Sequence, residues 1–223
     1  MRSLIIVLAF LSTAASAQFR FSGHSHRGSG CAQDTISFSE SPDLQSISVL
    51  YNEFVVQLPD PLRGQVQGST IRRRYDPLRS IKQCNLSFSV ELEAGQMVEA
   101  LEISVFNRGA TILDPGIQAS LSTRFLGYSA FGGRGAPQSL DIETKLWGSR
   151  GVSEDWLSNP TVTLPIRSGC AASRGVRDIR FDMTATLDAQ IVNGNTALNG
   201  LVTMDSSDVN GGMKIRVITR RCG

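Results

Sequence analysis

Apolar residues recur at every second position along most of this chain. In "CNLSFSVEL", Cys84, Leu86, Phe88, Val90 and Leu92 share one parity, while Asn85, Ser87, Ser89 and Glu91 take the other. "ALEISVF" alternates in the same way through Leu101, Ile103 and Val105. "RDIRFDMTATLDA" does so through Ile179, Phe181, Met183, Ala185 and Leu187. The shorter runs "TISFS", "SISVLYNEFVVQL", "GIQASLSTRF", "TVTLPI", "LVTMD" and "MKIRVIT" continue the series. Successive side chains of an extended strand point to opposite faces, so a period of two with one polar face marks half-buried antiparallel strands. No long stripe of 3.6-residue period competes with that reading.

The punctuation between the runs agrees. "LPDPLRG", "DPG", "FGGRGAP", "SNP", "NGN" and "NGG" supply residues suited to positive or fixed φ. Many strands with turns between them and no helical segment predict an all-β protein, an antiparallel β-sandwich of jelly-roll-like form. Residues 61–83 and 127–159 are the longest weakly patterned stretches and are expected to be long loops. Neither a linker nor an internal repeat divides the chain.

The first residues change the picture of where the protein works. Arg2, the uncharged apolar run Leu4–Leu11 and the small residues Ala15-Ser16-Ala17 have the three-part pattern of a secretory signal peptide. The run is shorter than the roughly 20 apolar residues that a spanning helix needs. Residues 1–17 are therefore expected to be a signal peptide, 18–30 a flexible, glycine-rich lead-in, and 31–223 a single β-sandwich domain. A secreted, extracellular product without a membrane span follows. The chain has 22 basic and 20 acidic residues. That near balance gives no reason to expect nucleic acid as a partner, and a monomer is expected.

Four cysteines, Cys31, Cys84, Cys170 and Cys222, lie dozens of residues apart. In an oxidising compartment an even number of distant cysteines reads as two disulfides, whereas zinc sites use close pairs. Four cysteines allow three pairings, and spacing alone does not choose among them. Asn85 opens "NLS", an N-x-S sequon on the polar parity of its strand, which makes it a candidate glycosylation site.

The remaining candidate chemistry is sparse. A Ser-His-Asp triad needs a histidine base, and the only histidines, His24 and His26, fall in the presumed lead-in. Their HxH spacing is read as part of a solvated tail, not as a metal site. Glu91, Glu93, Glu99, Glu102, Asp141 and Glu143 could supply paired carboxylates for glycoside chemistry, but acidic residues alternating along strands suit a solvated face better. "DSSD", residues 205–208, holds too few oxygens to make a calcium site alone. "IRRRYDPLR" puts Arg72, Arg73, Arg74 and Arg79 in one basic loop, read as solvated, that could meet an anionic surface or glycan or be a dibasic processing site. Trp147 and Trp156 could stack on a sugar ring or cap the core. No cofactor or metal is expected.

The cysteine frames carry a resemblance. "GSGC", "RSIKQCNLSFSVELEAG", "SVFNRGATILDPGIQASLSTRF", "LPIRSGCAASRGVRDIRFDMTATL" and "LNGLVTMDSSDVNGGMKIRVITRRC" follow one another from about Gly28 to Cys222. In that order they resemble a secreted family catalogued as a domain of unknown function, DUF4360. The resemblance implies a secreted, disulfide-bonded, β-rich single domain and no established activity. The pairing favoured is Cys31 with Cys84 and Cys170 with Cys222, each within a run of neighbouring strands. A sandwich that joins its terminal strands would instead give Cys31 with Cys222, and that alternative stays open. The class expected is a non-enzymatic extracellular binding or interaction module whose partner is a glycan or a protein. The alternatives are a carbohydrate-active hydrolase or lyase, and a secreted inhibitor or effector.

Overall fold

The computed structural model describes residues 19–42, 46–52, 54–59, 78–130, 139–166, 168–171, 177–204 and 212–222. These residues form thirteen strands and, among themselves, no helix. In chain order they are β1 (Phe19–Arg27), β2 (Ile36–Glu40), β3 (Ser46–Tyr51), β4 (Phe54–Leu58) and β5 (Arg79–Leu92). Then come β6 (Gln96–Leu113), β7 (Ile117–Ala130), β8 (Leu140–Trp147), β9 (Val152–Ser158) and β10 (Thr161–Pro165). The last three are β11 (Arg177–Ile191), β12 (Gly200–Met204) and β13 (Gly212–Arg221).

Two sheets face each other. One has five strands in the order β1-β5-β11-β7-β8. The other runs β2-β3-β13-β6-β12-β4, with β9 and β10 also paired to the long strand β6. Every pairing is antiparallel. The molecule is an antiparallel β-sandwich. The alternation in the sequence explains the layers, since each strand turns its apolar parity inward. Leu86, Phe88 and Val90 from β5, Phe181 and Met183 from β11, and Ile103 and Val105 from β6 belong to one core, all almost fully buried. Asn85, Ser87 and Ser89 stay on the outer face of the five-stranded sheet.

Cys31 is bonded to Cys84, and Cys170 to Cys222, with sequence separations of 53 and 52. The first bridge ties the segment after β1 to the inner face of β5. The second ties the segment before β11 to the end of β13. Closing a loop of that length is worth about 4 kcal/mol in the chain-entropy treatment.

Three expectations need correction. The lead-in at 18–30 is not loose: Phe19–Arg27 is an edge strand, in register with β5 from Phe19 opposite Leu92 to Arg27 opposite Asn85. Phe19 and Phe21 are buried and hold it there. Nor is 127–159 a loop, since β7 runs on to Ala130 and β8 and β9 follow. The stretch 61–83 likewise ends in strand, because β5 begins at Arg79, whose guanidinium is paired with Asp188 of β11. Polar residues hid these strands: β1, β8 and β9 lie at sheet margins and need little apolar alternation, and the 79–83 and 127–130 ends of the internal strands β5 and β7 carry few apolar residues. The expected leader 1–17, the basic loop Arg72–Arg74 and Asp205–Asp208 lie outside the described residues. No helix among the described residues is long and apolar enough to cross a membrane.

Candidate functional site

The outer face of the five-stranded sheet carries a groove of about 600 Å³ that crosses four strands. The register explains its shape. Ser25 on β1 lies opposite Ser87 on β5, Ser87 opposite Asp182 on β11, and Asp182 opposite Gly127 on β7. Three of these four residues are small, so the row makes a floor. Arg27, Asn85, Arg180 and Leu126 rise around it, and Tyr128, opposite the core residue Phe181, lines it from below.

A bulge sharpens one wall. Asp182 pairs with Gly127 and Met183 with Phe125, which leaves Leu126 as the extra residue in β7. Gly127 takes a φ of 136°, a conformation that suits glycine. The kink leaves Leu126 38% exposed while Phe125 remains in the core. Tyr128 leans on Phe181, with ring centroids 6.4 Å apart.

The polar groups in the groove are pre-ordered. Arg180 Nε donates to Asp182 Oδ1 at 3.0 Å, and its Nη2 donates to Ser87 Oγ at 2.8 Å. Ser87 Oγ in turn donates to the same Asp182 oxygen. This triad orients the Arg180 guanidinium, whose side chain stays more than half exposed. Gln83 Nε2 donates to Asn85 Oδ1 at 3.3 Å and to Thr184 Oγ1 at 3.2 Å, which steadies the next row. Asp182 is the sole carboxylate among the described residues that line the groove.

The tryptophans expected to meet a ligand are elsewhere. Trp147 and Trp156 are each 5% exposed and contact one another across the two sheets, with centroids 5.6 Å apart. Trp147 Nε1 donates to Glu154 Oε1 at 2.8 Å, and Lys145 Nζ lies 5.5 and 5.8 Å from the two ring centroids. Trp156 sits opposite Gly109, where a Cβ would come within 2.7 Å of its Cζ2. The same Cβ would lie 1.8 Å from the Thr203 carbonyl oxygen, so the bare backbone of Gly109 admits both β12 and the indole. The pair caps the core at one side of the sandwich, and neither ring offers an open face.

The candidate carboxylates do not converge. Glu91 pairs with Arg20, Asp141 with Arg124, and Glu99 lies 3.8 Å from Arg220. Glu143 is buried between the sheets, where Asn107 Nδ2 donates to its Oε2 at 2.8 Å and Thr123 Oγ1 at 3.3 Å. His24 and His26 flank Phe38 of β2, at centroid distances of 4.0 and 5.6 Å. His24 is stacked on that ring and belongs to a strand, not to a solvated tail. No group of three His, Cys, Asp or Glu side chains among the described residues could hold a metal.

The groove residues Ser25, Arg27, Leu126, Tyr128, Arg180 and Asp182 were not singled out by the sequence pattern. One signal was present. "TRFLGYS" places Phe125 beside Leu126 and then a glycine inside an alternating strand, which is the mark of a bulge.

The fold and the groove together define a disulfide-bonded β-sandwich with an open hollow of mixed polar and apolar lining on one sheet face. The chain belongs to the DUF4360 family, a domain of unknown function, whose family model matches residues 17–222. No curated protein matches it. Among solved structures, it is similar to the carbohydrate-binding module TmCBM61 in complex with β-1,4-galactotriose, at 9% identity and a TM-score of 0.29. That match covers 89% of this chain and 91% of the other. It is also similar to the enzymatically active domain of tailspike protein 4 of bacteriophage CBA120, at 9% identity and a TM-score of 0.29. There the match covers 88% of this chain and 20% of the tailspike chain.

Proposed function

We propose that this protein is a secreted, non-enzymatic binding module whose groove on the five-stranded sheet holds an extracellular glycan bearing carboxylates. Secretion is supported by the leader pattern in residues 1–17 and by two disulfides, which fit an extracellular protein. The observation that carries the binding reading is the groove itself, with Arg27 and Arg180 projecting beside a floor of serines. Serine and asparagine groups exchange hydrogen bonds with sugar hydroxyls. A guanidinium receives a carboxylate in a planar, two-point contact. Arg180 is already oriented by Asp182 and Ser87, so less freedom is lost when a ligand binds.

A hydrolase is less well supported. Paired-carboxylate chemistry needs two acids about 5 to 10 Å apart, and among the described residues Asp182 is the one carboxylate lining this groove and is bound by Arg180. The inhibitor reading pointed to the 61–83 segment, of which residues 61–77 lie outside the described residues.

Affinity electrophoresis through gels containing polygalacturonate, with neutral dextran as control, tests the reading. Retardation by polygalacturonate alone is expected. Arg180→Ala and Arg27→Ala are each expected to weaken binding by about 10- to 100-fold, the range of a hydrogen bond to a charged group. Equal mobility in both gels, or unchanged retardation of both variants, would refute it.

A further inference from the structure

We propose that Asn85 is a regulatory N-glycosylation site, and that a glycan on Asn85 and a ligand in the groove exclude one another. The inference rests on the groove reading above. It starts from position: the sequon asparagine is itself part of the groove wall. Asn85 stands opposite Arg27 on one side and Thr184 on the other. Ser87, which completes the sequon, is the floor residue bonded to Asp182 and Arg180. Residues two apart on a strand share a face and lie roughly 7 Å apart, so a sugar attached at Asn85 begins about one ring's width from the polar triad.

In the folded sheet the Asn85 amide is held by a neighbouring side chain. Gln83 donates to the Asn85 carbonyl oxygen. The amide nitrogen, which carries the sugar in an N-linked glycan, is the other end of that group. In the transfer, this nitrogen bonds to the anomeric carbon of an oligosaccharide carried on a lipid diphosphate. The lipid diphosphate leaves, one amide proton is lost, and nothing is oxidised or reduced. The folded sheet also fixes the timing. β5 lies between β1 and β11, and the Ser87 hydroxyl is engaged by Asp182 and Arg180, so transfer precedes sheet assembly. The modified fraction is therefore set during synthesis, and only the unmodified fraction leaves the secretory pathway with an open groove.

The test uses the full chain secreted from a eukaryotic host and the same chain from a bacterial periplasm, which adds no such glycan. Peptide mapping scores Asn85, a lectin column separates the two glycoforms, and each is titrated with polygalacturonate. The bacterial and unmodified forms are expected to bind alike, and the form modified at Asn85 at least tenfold more weakly. An empty Asn85 in the eukaryotic product would overturn the inference, as would equal affinities of modified and unmodified protein. Absence of binding by the bacterial form would instead overturn the groove reading on which the inference stands.

Discussion

Tyr51 lies wholly inside the sandwich, its ring 5.4 Å from that of Phe54. Burial, and after it the negative charge of Glu143, push its hydroxyl well above the ordinary tyrosine range near 10. The folded state thus holds the Tyr51 proton more tightly than the unfolded chain does. This contribution to stability is fully present below about pH 10 and is lost as pH rises above it. Unfolding free energy measured by denaturant titration is expected to fall above pH 10, with up to about 1.4 kcal/mol per pH unit due to this group. Tyr51→Phe is expected to remove that part of the slope; an unchanged slope would contradict the assignment. Nothing in the local sequence announces this pairing. Tyr51 ends the alternation of "SISVLY" and Glu143 sits in "DIETKLW", and only the closure of the two sheets brings a phenol and a carboxylate together. The same holds for Trp147 and Trp156, whose contact forms between strands of opposite sheets.

Among the elements, β1 separates what the alternation could reveal from what it could not. The central strands β5, β6 and β11 each have buried neighbours along most of their length, so their parity is plain in the sequence. β1 has a single neighbour, a register shift between Phe21 and Gly23, and two clearly buried anchors, so its pattern dissolves into "SGHSHR". Its role is nonetheless structural. Phe21→Ala is expected to destabilise the protein by about 3 kcal/mol, as for other buried phenylalanines. Deleting residues 19–27 should cost more, since it also exposes the edge of β5. A flexible lead-in would tolerate both changes, so thermal unfolding curves that coincide with the parent would refute the strand assignment. The bulge in β7 is the other element-scale feature, because it aims Leu126 outward and opens the groove beside Asp182.

At the scale of the whole molecule, the sandwich and the number of bridges were legible because periodicity and cysteine count are properties of the chain alone, whereas the choice among the three pairings was not. Nor was the binding face. It depends on which outward residues stand in one row, and the register Ser25–Ser87–Asp182–Gly127 joins four segments that span most of the sequence. Small side chains in that row and arginines beside it are unremarkable until the strands are ordered. The function proposed therefore stands or falls on where a ligand touches this sheet. The most direct measurement is a ¹H–¹⁵N correlation spectrum of the unglycosylated protein titrated with a short galacturonate oligomer. Amide shifts are expected at residues 25–27, 85–87, 126–128 and 180–183, on four strands at once. No shifts, or shifts confined to the eight-stranded sheet or to the Trp147–Trp156 side, would contradict it.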